Sequence, residues 1–169
     1  MLTGVGTVKA DDPRLTVRHV PCSRQPRRVV IDNRLELPLD AKILEGEPAL
    51  ILTVSDDAAR RRALEDRGAE VVRVPGEGKS DLVAVAKLLG DRKFNEVTVE
   101  TGAKLNGSLL AAGVIDELVL YLAPKVIGDK GIGLFALPEI TELADAMPLR
   151  ISDVTAVGDD WRVTARVVR

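Results

Sequence analysis

The 169-residue chain holds one cysteine, Cys22, and one histidine, His19. A single cysteine excludes an internal disulfide, and one thiol with one imidazole is too few for a multi-cysteine or histidine-rich metal site. No metal is expected, and Cys22 reads as an isolated thiol. Charge of one sign is also missing: 24 basic against 26 acidic residues give a formal net charge of −2. That balance offers no electrostatic case for nucleic acid or for a membrane surface. No apolar run approaches the roughly 20 residues that span a bilayer. The first residues, MLTGVGTVKADDPRL, lack the apolar stretch of a signal peptide. The default expectation is a cytoplasmic protein.

What is present suits one α/β domain. Hydrophobic residues make up 46% and charged residues 30% of the chain, the balance of an ordinary globular protein with a proper core. Short β-branched runs at 27–32, 49–54, 70–74 and 96–100 read as strands. Helical patterns stand between them. Ser55 is placed as an N-cap with Asp56 and Asp57 in the first turn of a helix that closes on Gly68. Ser80 is placed as the cap of a second helix, whose Leu82, Val85, Ala86 and Leu89 share a face. A third helix, KLNGSLLAAG, ends on Gly113. The run DELVLYLAPKVIG is a longer strand broken at Pro124, and the tail is two strands around Gly158, Asp159 and Asp160. Strand–helix alternation implies parallel βαβ units and a mixed, mostly parallel sheet, with antiparallel strands at the C-terminus. The Arg60–Arg62 triplet is expected on a solvated face.

Two glycine-containing stretches carry the chemistry. In EVTVETGAKLNGSLLAAG a strand ends on Glu100 and a helix follows within three residues. Parallel sheets bind ligands beyond the carboxyl ends of their strands, so Gly102 and Ala103 suit a phosphate held by helix N–H groups. Gly102 serves equally well as a tight turn. A carboxylate at the end of a central strand must be solvated, paired or used, which makes Glu100 a candidate functional residue. The second stretch, TGVGTVKADDPRLTVR, has Gly4 and Gly6 but no third glycine at the dinucleotide spacing. It reads as a flexible glycine loop followed by a turn at Asp11-Asp12-Pro13, with Arg18 able to clamp a phosphate.

These stretches resemble the two motifs of the reductase domain of bifunctional riboflavin-biosynthesis deaminase/reductase proteins. The first is TGVGTVKADDPRLTVR and the second VETGAKLNGSLLAAGVIDELVLYLAPKVIG. The likeness runs on through VVIDNRLELPLDAKIL and the tail LADAMPLRISDVTAVGDDWRVTARV. It implies a fold similar to dihydrofolate reductase and an NADPH-dependent reduction of 5-amino-6-(5-phosphoribosylamino)uracil to its ribitylamino product. By motif position it implies cofactor contacts at Thr7, Asp11, Asn33, Gly102, Ala103, Lys104, Leu105, Asn106, Gly107 and Ser108. Leu15 and Arg18 fall at substrate positions, and Glu100 at a substrate-contacting, catalytic position. Arg34 and Lys104 are the nearest basic residues for a cofactor 2′-phosphate. The resemblance also implies a homodimer built through the C-terminal strands. Its domain usually starts earlier, with a strand carrying a lysine, a Ser-Asp-Gly turn and a helix. The chain is therefore expected to be a single reductase domain lacking that first strand and helix, with no deaminase domain and an incomplete substrate site. A related reductase of another pterin-like or pyrimidine substrate, or a non-catalytic nucleotide-binding product, are the alternatives.

Overall fold

The computed structural model describes residues 1–168. Four short strands, β1 (Leu2–Gly4), β2 (Val29–Ile31), β3 (Leu50–Thr53) and β4 (Glu70–Arg73), form a parallel sheet in the order β1-β2-β3-β4. Four helices accompany it: α1 (Val5–Asp11), α2 (Ala58–Asp66), α3 (Leu82–Asp91) and α4 (Ala103–Ala111). Three further strands, β5 (Glu117–Leu122), β6 (Leu149–Val157) and β7 (Asp160–Val167), make a separate antiparallel sheet in the order β5-β7-β6. The α/β class and the antiparallel C-terminal strands thus stand as the sequence implies, with hydrogen bonding divided between two sheets.

The parallel sheet is buried on both faces along β1 to β3 because their residues are mostly apolar in continuous runs rather than at alternate positions, whereas β4, which carries Glu70 and Arg73, is only partly buried. Val30, Ile51 and Val71 point to one side, where Val8 of α1 and Leu64 of α2 complete a cluster. Val29, Ile31, Leu50 and Leu52 point to the other, against Val85 and Leu89 of α3 and Leu109 of α4. Helices α1 and α2 therefore cover one face, and α3 and α4 the other.

Several local expectations are corrected. Gly4 and Gly6 do not lie in a flexible loop: Gly4 ends β1 and stands at the N-cap of α1. Asp12 follows that helix in the left-handed region, φ 44°. The cap of α2 is Asp57, whose carboxylate accepts from the Arg60 N–H at 2.9 Å, and Ser55 instead receives the Asp57 N–H. Likewise Asp81, not Ser80, caps α3. In both cases an aspartate lay one or two residues beyond the serine, and a carboxylate is at least as good an acceptor for the helix N–H groups. Arg60 is half-buried, donating to the Leu35 and Leu37 carbonyls at 2.8 and 2.7 Å. It pins the turn after β2 rather than facing solvent.

The segment 96–100 is the largest departure. It makes one isolated parallel bridge, Val99 to Leu2. The Leu2 N–H donates to the Thr98 carbonyl at 2.8 Å and the Glu100 N–H to the Leu2 carbonyl at 2.9 Å. It flanks β1 at the edge of the sheet, and Val97 and Val99 are half-buried. Glu100 is exposed. It terminates an edge segment, not a buried central strand, so desolvation gives no reason for its presence.

Candidate functional site

The carboxyl ends of β1 to β4 and of the 97–100 segment all lie at one end of the sheet, because all five run parallel. Between β1 and 97–100 the chain changes sides. The helix leaving β1 packs on one face, and the helix leaving Glu100 packs on the other. Such a switch point opens a crevice between two diverging loops, and ligands of open α/β sheets bind there.

The crevice is tight at its base and open at its mouth. The Thr7 and Thr101 hydroxyls face each other across it at 3.3 Å. A Cβ on Gly4 would come within 3.1 Å of Leu105 Cδ2 and 3.3 Å of Thr101 Oγ1, so a glycine lets α1 and α4 approach. Gly102, the N-cap of α4, is different. No side chain caps that helix, its φ of −80° suits any residue, and a Cβ there would meet nothing within 4 Å. The α4 ladder begins with the Asn106 N–H to the Gly102 carbonyl. The N–H groups of Ala103, Lys104 and Leu105 therefore lie outside that ladder, at the positive end of the helix.

Beside the crevice lies a smaller cleft of about 220 Å³, lined by Leu15, Arg18, Arg14, Pro26 and Glu100 among others. The fold thus brings Leu15, Arg18 and Glu100, far apart in sequence, to the lining of one cleft. Leu15 is buried with a positive φ of 48°, a conformation costly for a branched side chain and held here by its surroundings. Arg18 is exposed and makes no ion pair among the described residues, whereas Arg14 is taken up by Glu45. The Asp12 carboxyl sits below the usual aspartate range. The Lys42 backbone N–H, at 2.9 Å, is the main cause, with the Lys42 ammonium beside it.

The other expected cofactor residues divide. Thr7 and Gly102–Leu105 border the crevice. Asp11 is exposed at the far end of α1. Asn33 faces inward, its Oδ1 accepting from the Ser80 N–H at 2.9 Å and the Ser80 hydroxyl at 2.7 Å. It holds the 75–80 loop at the carboxyl end of the sheet. Asn106 donates to the Thr101 and Leu134 carbonyls at 3.1 and 3.3 Å. Gly107 touches the loop at Ala136, whose carbonyl oxygen would lie 2.2 Å from any Cβ there. The Ser108 hydroxyl donates to the Lys104 carbonyl. Asn106, Gly107 and Ser108 thus brace α4 rather than border the crevice. Of the two basic candidates, Arg34 is paired with Glu36 at 2.8 Å, while Lys104 is exposed. Sequence reasoning missed Thr101 and Ser80. Thr101 stood between two singled-out residues, whereas nothing local marks Ser80 as the partner of a residue 47 positions away.

The family model described as RibD C-terminal domain matches residues 1–163. The chain belongs to that family. It is 33% identical to the riboflavin biosynthesis protein RibD of Aquifex aeolicus, over 95% of this chain and 44% of that protein. It is 32% identical to the 2,5-diamino-6-ribosylamino-4(3H)-pyrimidinone 5′-phosphate reductase of Methanothermobacter thermautotrophicus, over 95% of this chain and 76% of that one. Among solved structures, Acinetobacter baumannii RibD superposes with a TM-score of 0.84 at 28% identity, covering 99% of this chain and 46% of that one. The chain spans less than half the length of the RibD relatives and about three quarters of the shorter reductase. It is homologous to the pyrimidine reductases of riboflavin biosynthesis. Among the described residues no helix is long and apolar enough to cross a membrane, and no cluster of His, Cys, Asp and Glu could hold a metal.

Proposed function

We propose that this domain reduces a phosphoribosylamino-pyrimidine with NADPH in riboflavin biosynthesis, the uracil compound 5-amino-6-(5-phosphoribosylamino)uracil being the substrate. The observation that carries the reading is the open N-terminus of α4 at the switch point, next to a cleft that joins Glu100 to Arg18. The groups present fit a dinucleotide diphosphate. Gly102 leaves room for it, and three unengaged N–H groups would meet its charge. Lys104, exposed in the first turn of α4 and in no ion pair among the described residues, is the cation offered to a 2′-phosphate. The reduced nicotinamide, when bound, supplies the hydride that reaches C1′ of the ribose and opens the sugar to a polyol.

The chain's own residues then bind and orient. Arg18 meets the substrate phosphate in a bidentate clamp. Leu15 forms an apolar floor, and Glu100 accepts hydrogen bonds from the substrate's N–H or hydroxyl groups beside it. Thr7 and Thr101 close the base of the crevice. NADPH is preferred over NADH, and a titration giving equal dissociation constants would remove that part of the proposal. The Methanothermobacter relative is named for the 2,5-diamino substrate, so the pyrimidine with an amino group at that position is the second reading. Turnover assayed on both pyrimidines with NADPH separates them. Faster turnover of the uracil compound supports the first reading, and turnover of the diamino compound alone selects the second. Cofactor binding without turnover of either would leave a nucleotide-binding protein.

A homodimer belongs to the same proposal. Leu122, Ile151, Val154 and Trp161 lie on one face of the β5-β7-β6 sheet and are each about half exposed or more. Burying that face against a second copy would remove it from water. A monomer by light scattering at micromolar concentration would contradict this. A cytoplasmic location goes with the reading.

A further inference from the structure

The stretch that carries Arg18 is a strap with firm roots and a single closure. At the incoming root the Asp12 carboxylate accepts from the Lys42 N–H, Arg14 pairs with Glu45, and Leu15 is buried. At the outgoing root the Met1 ammonium donates to the Arg27 carbonyl at 2.9 Å, and Arg27 pairs with Glu70 at 2.7 Å. Arg28, almost fully buried, donates to the carbonyls of Glu45 and Glu47. Between the roots, residues 17–25 are all exposed and lack regular secondary structure. Among the described residues no hydrogen bond or ion pair ties them to the rest of the protein, and the Cys22 thiol bonds within the strap, to the Arg24 carbonyl. What closes the strap is the side chain of Gln25. Its Oε1 accepts from the Val17 N–H at 2.8 Å, and its Nε2 donates to the Val17 carbonyl at 3.2 Å. One planar amide thus meets both main-chain groups of a residue eight positions away, as the backbone of a neighbouring strand would.

The closure falls where it matters for the small cleft. Val17 immediately precedes Arg18, and Pro26 immediately follows Gln25; all but Gln25 line the cleft with Glu100. His19, at φ 68°, turns the chain away directly after Arg18. We propose that Gln25 is the positioning residue for Arg18: by gripping Val17 it holds the guanidinium at the cleft, and so sets the affinity for a substrate phosphate without touching substrate or cofactor. The inference rests on the reading of Arg18 as the phosphate-binding residue. An arginine on an open strap gives up chain entropy as it binds, whereas one on a closed strap is already placed. The side chain at 25 must be an amide for this. A carboxylate there would still accept the Val17 N–H but would set a second acceptor against the Val17 carbonyl, and alanine would offer neither group.

The test compares Gln25→Ala, Gln25→Glu, Arg18→Ala and the Arg18→Ala/Gln25→Ala double variant in the whole chain, with ribose 5-phosphate and NADPH titrated separately by calorimetry. Gln25→Ala and Gln25→Glu should each weaken ribose 5-phosphate binding by about three- to tenfold. NADPH affinity should stay within about twofold, and the thermal midpoint within about 2 °C. Arg18→Ala should weaken ribose 5-phosphate by at least about tenfold. Adding Gln25→Ala to it should cost nothing further, because a residue that acts through Arg18 then has nothing left to place. The Val17 amide should exchange hydrogen faster in Gln25→Ala, and in turnover of the phosphorylated pyrimidine the loss should fall on KM with kcat kept. Unchanged ribose 5-phosphate affinity in Gln25→Ala, beside a loss in Arg18→Ala, would overturn the inference and leave the role of Arg18 standing. Unchanged affinity in Arg18→Ala, or no binding of ribose 5-phosphate by the unsubstituted chain, would overturn both. Additive losses in the double variant would make Gln25 an independent contact and reject the positioning role. A Val17 amide that exchanges no faster in Gln25→Ala would reject it too, as would a fall in NADPH affinity and midpoint together, which would make Gln25 a general support of the fold.

Discussion

The two sheets of this protein have similar strand chemistry and opposite surroundings. In the parallel sheet every residue of β1, β2 and β3 is buried. In the antiparallel sheet β6 has eight exposed positions of nine, although Leu149, Ile151, Val154 and Val157 are as apolar as anything in β2. The difference lies in what crosses between strands. Parallel neighbours require a connection over the sheet, and each of those connections here brings a helix or a packed turn onto one face. Antiparallel neighbours need only a tight turn, and β6 joins β7 through Gly158 and Asp159, with Gly158 at φ 62°. That hairpin brings no cover with it. The first sheet completes its own core, and the second presents an unfinished one. The candidate site lies at the carboxyl end of the first.

Substitutions should register this contrast directly. Ile51→Ala, at a position with no exposed surface, should cost about 2–5 kcal/mol in denaturant unfolding by leaving a cavity between α2 and the sheet. Gly107→Ala should cost about 1–3 kcal/mol, because the Ala136 carbonyl must move to admit the new methyl group. Asn33→Ala leaves the Ser80 N–H and hydroxyl without their acceptor. The expected loss is about 1–2 kcal/mol, with faster proteolysis of the 75–80 loop. Val154→Ala, about half exposed on the open sheet, should change stability by less than about 0.5–1 kcal/mol. A loss there equal to that of Ile51→Ala would mean that the second sheet is covered in solution, and would break the comparison.

The smallest effect is set by pH. The Asp12 carboxyl is held below its ordinary value of 3.8 by the Lys42 backbone N–H and then by the Lys42 ammonium. A depressed carboxylate contributes stability that is fully present above the unfolded value. It is lost as pH falls through the lower folded value. Asp12→Asn should therefore lower stability slightly near neutrality, where the contribution is fully present, and flatten part of the acid limb below pH 3.8, where the unsubstituted protein loses it too.

Much of the fold was legible because the middle of the chain obeys local rules. Apolar runs at 29–31, 50–53 and 70–73 became strands, and Gly68 and Gly113 follow their helices with φ of 84° and 66°. The caps were misread where a serine stood within two residues of an aspartate able to do the same work. The 96–100 segment failed for a tertiary reason. Its EVTVE pattern is a good strand pattern, but with a partner on one side only it makes a single bridge. Glu100 was singled out on the assumption of a buried central strand, which does not hold here. The family resemblance put it at a substrate position with Arg18 and Leu15, and the fold sets the three around one cleft. Asn33 and Asn106 were legible as polar residues in the right stretches. Their use in bracing loops depends on partners 47 and 28 residues away, which no local pattern records.

The central claim is that the switch-point end of the parallel sheet divides its work. In the proposed function the α4 N-terminus takes the cofactor diphosphate, and Glu100 takes the substrate. The most direct measurement is NADPH affinity, by calorimetric titration, of Gly102→Val beside Glu100→Gln. Gly102 has an unstrained φ and free space around its Cβ position, so valine should leave the fold intact while blocking the approach of a diphosphate. The account predicts that Gly102→Val weakens NADPH binding by about ten- to a hundredfold, the value of one or two charge-assisted hydrogen bonds, and that Glu100→Gln leaves it within about twofold. Unchanged NADPH affinity in Gly102→Val, with the fold verified by its unfolding midpoint, would contradict it.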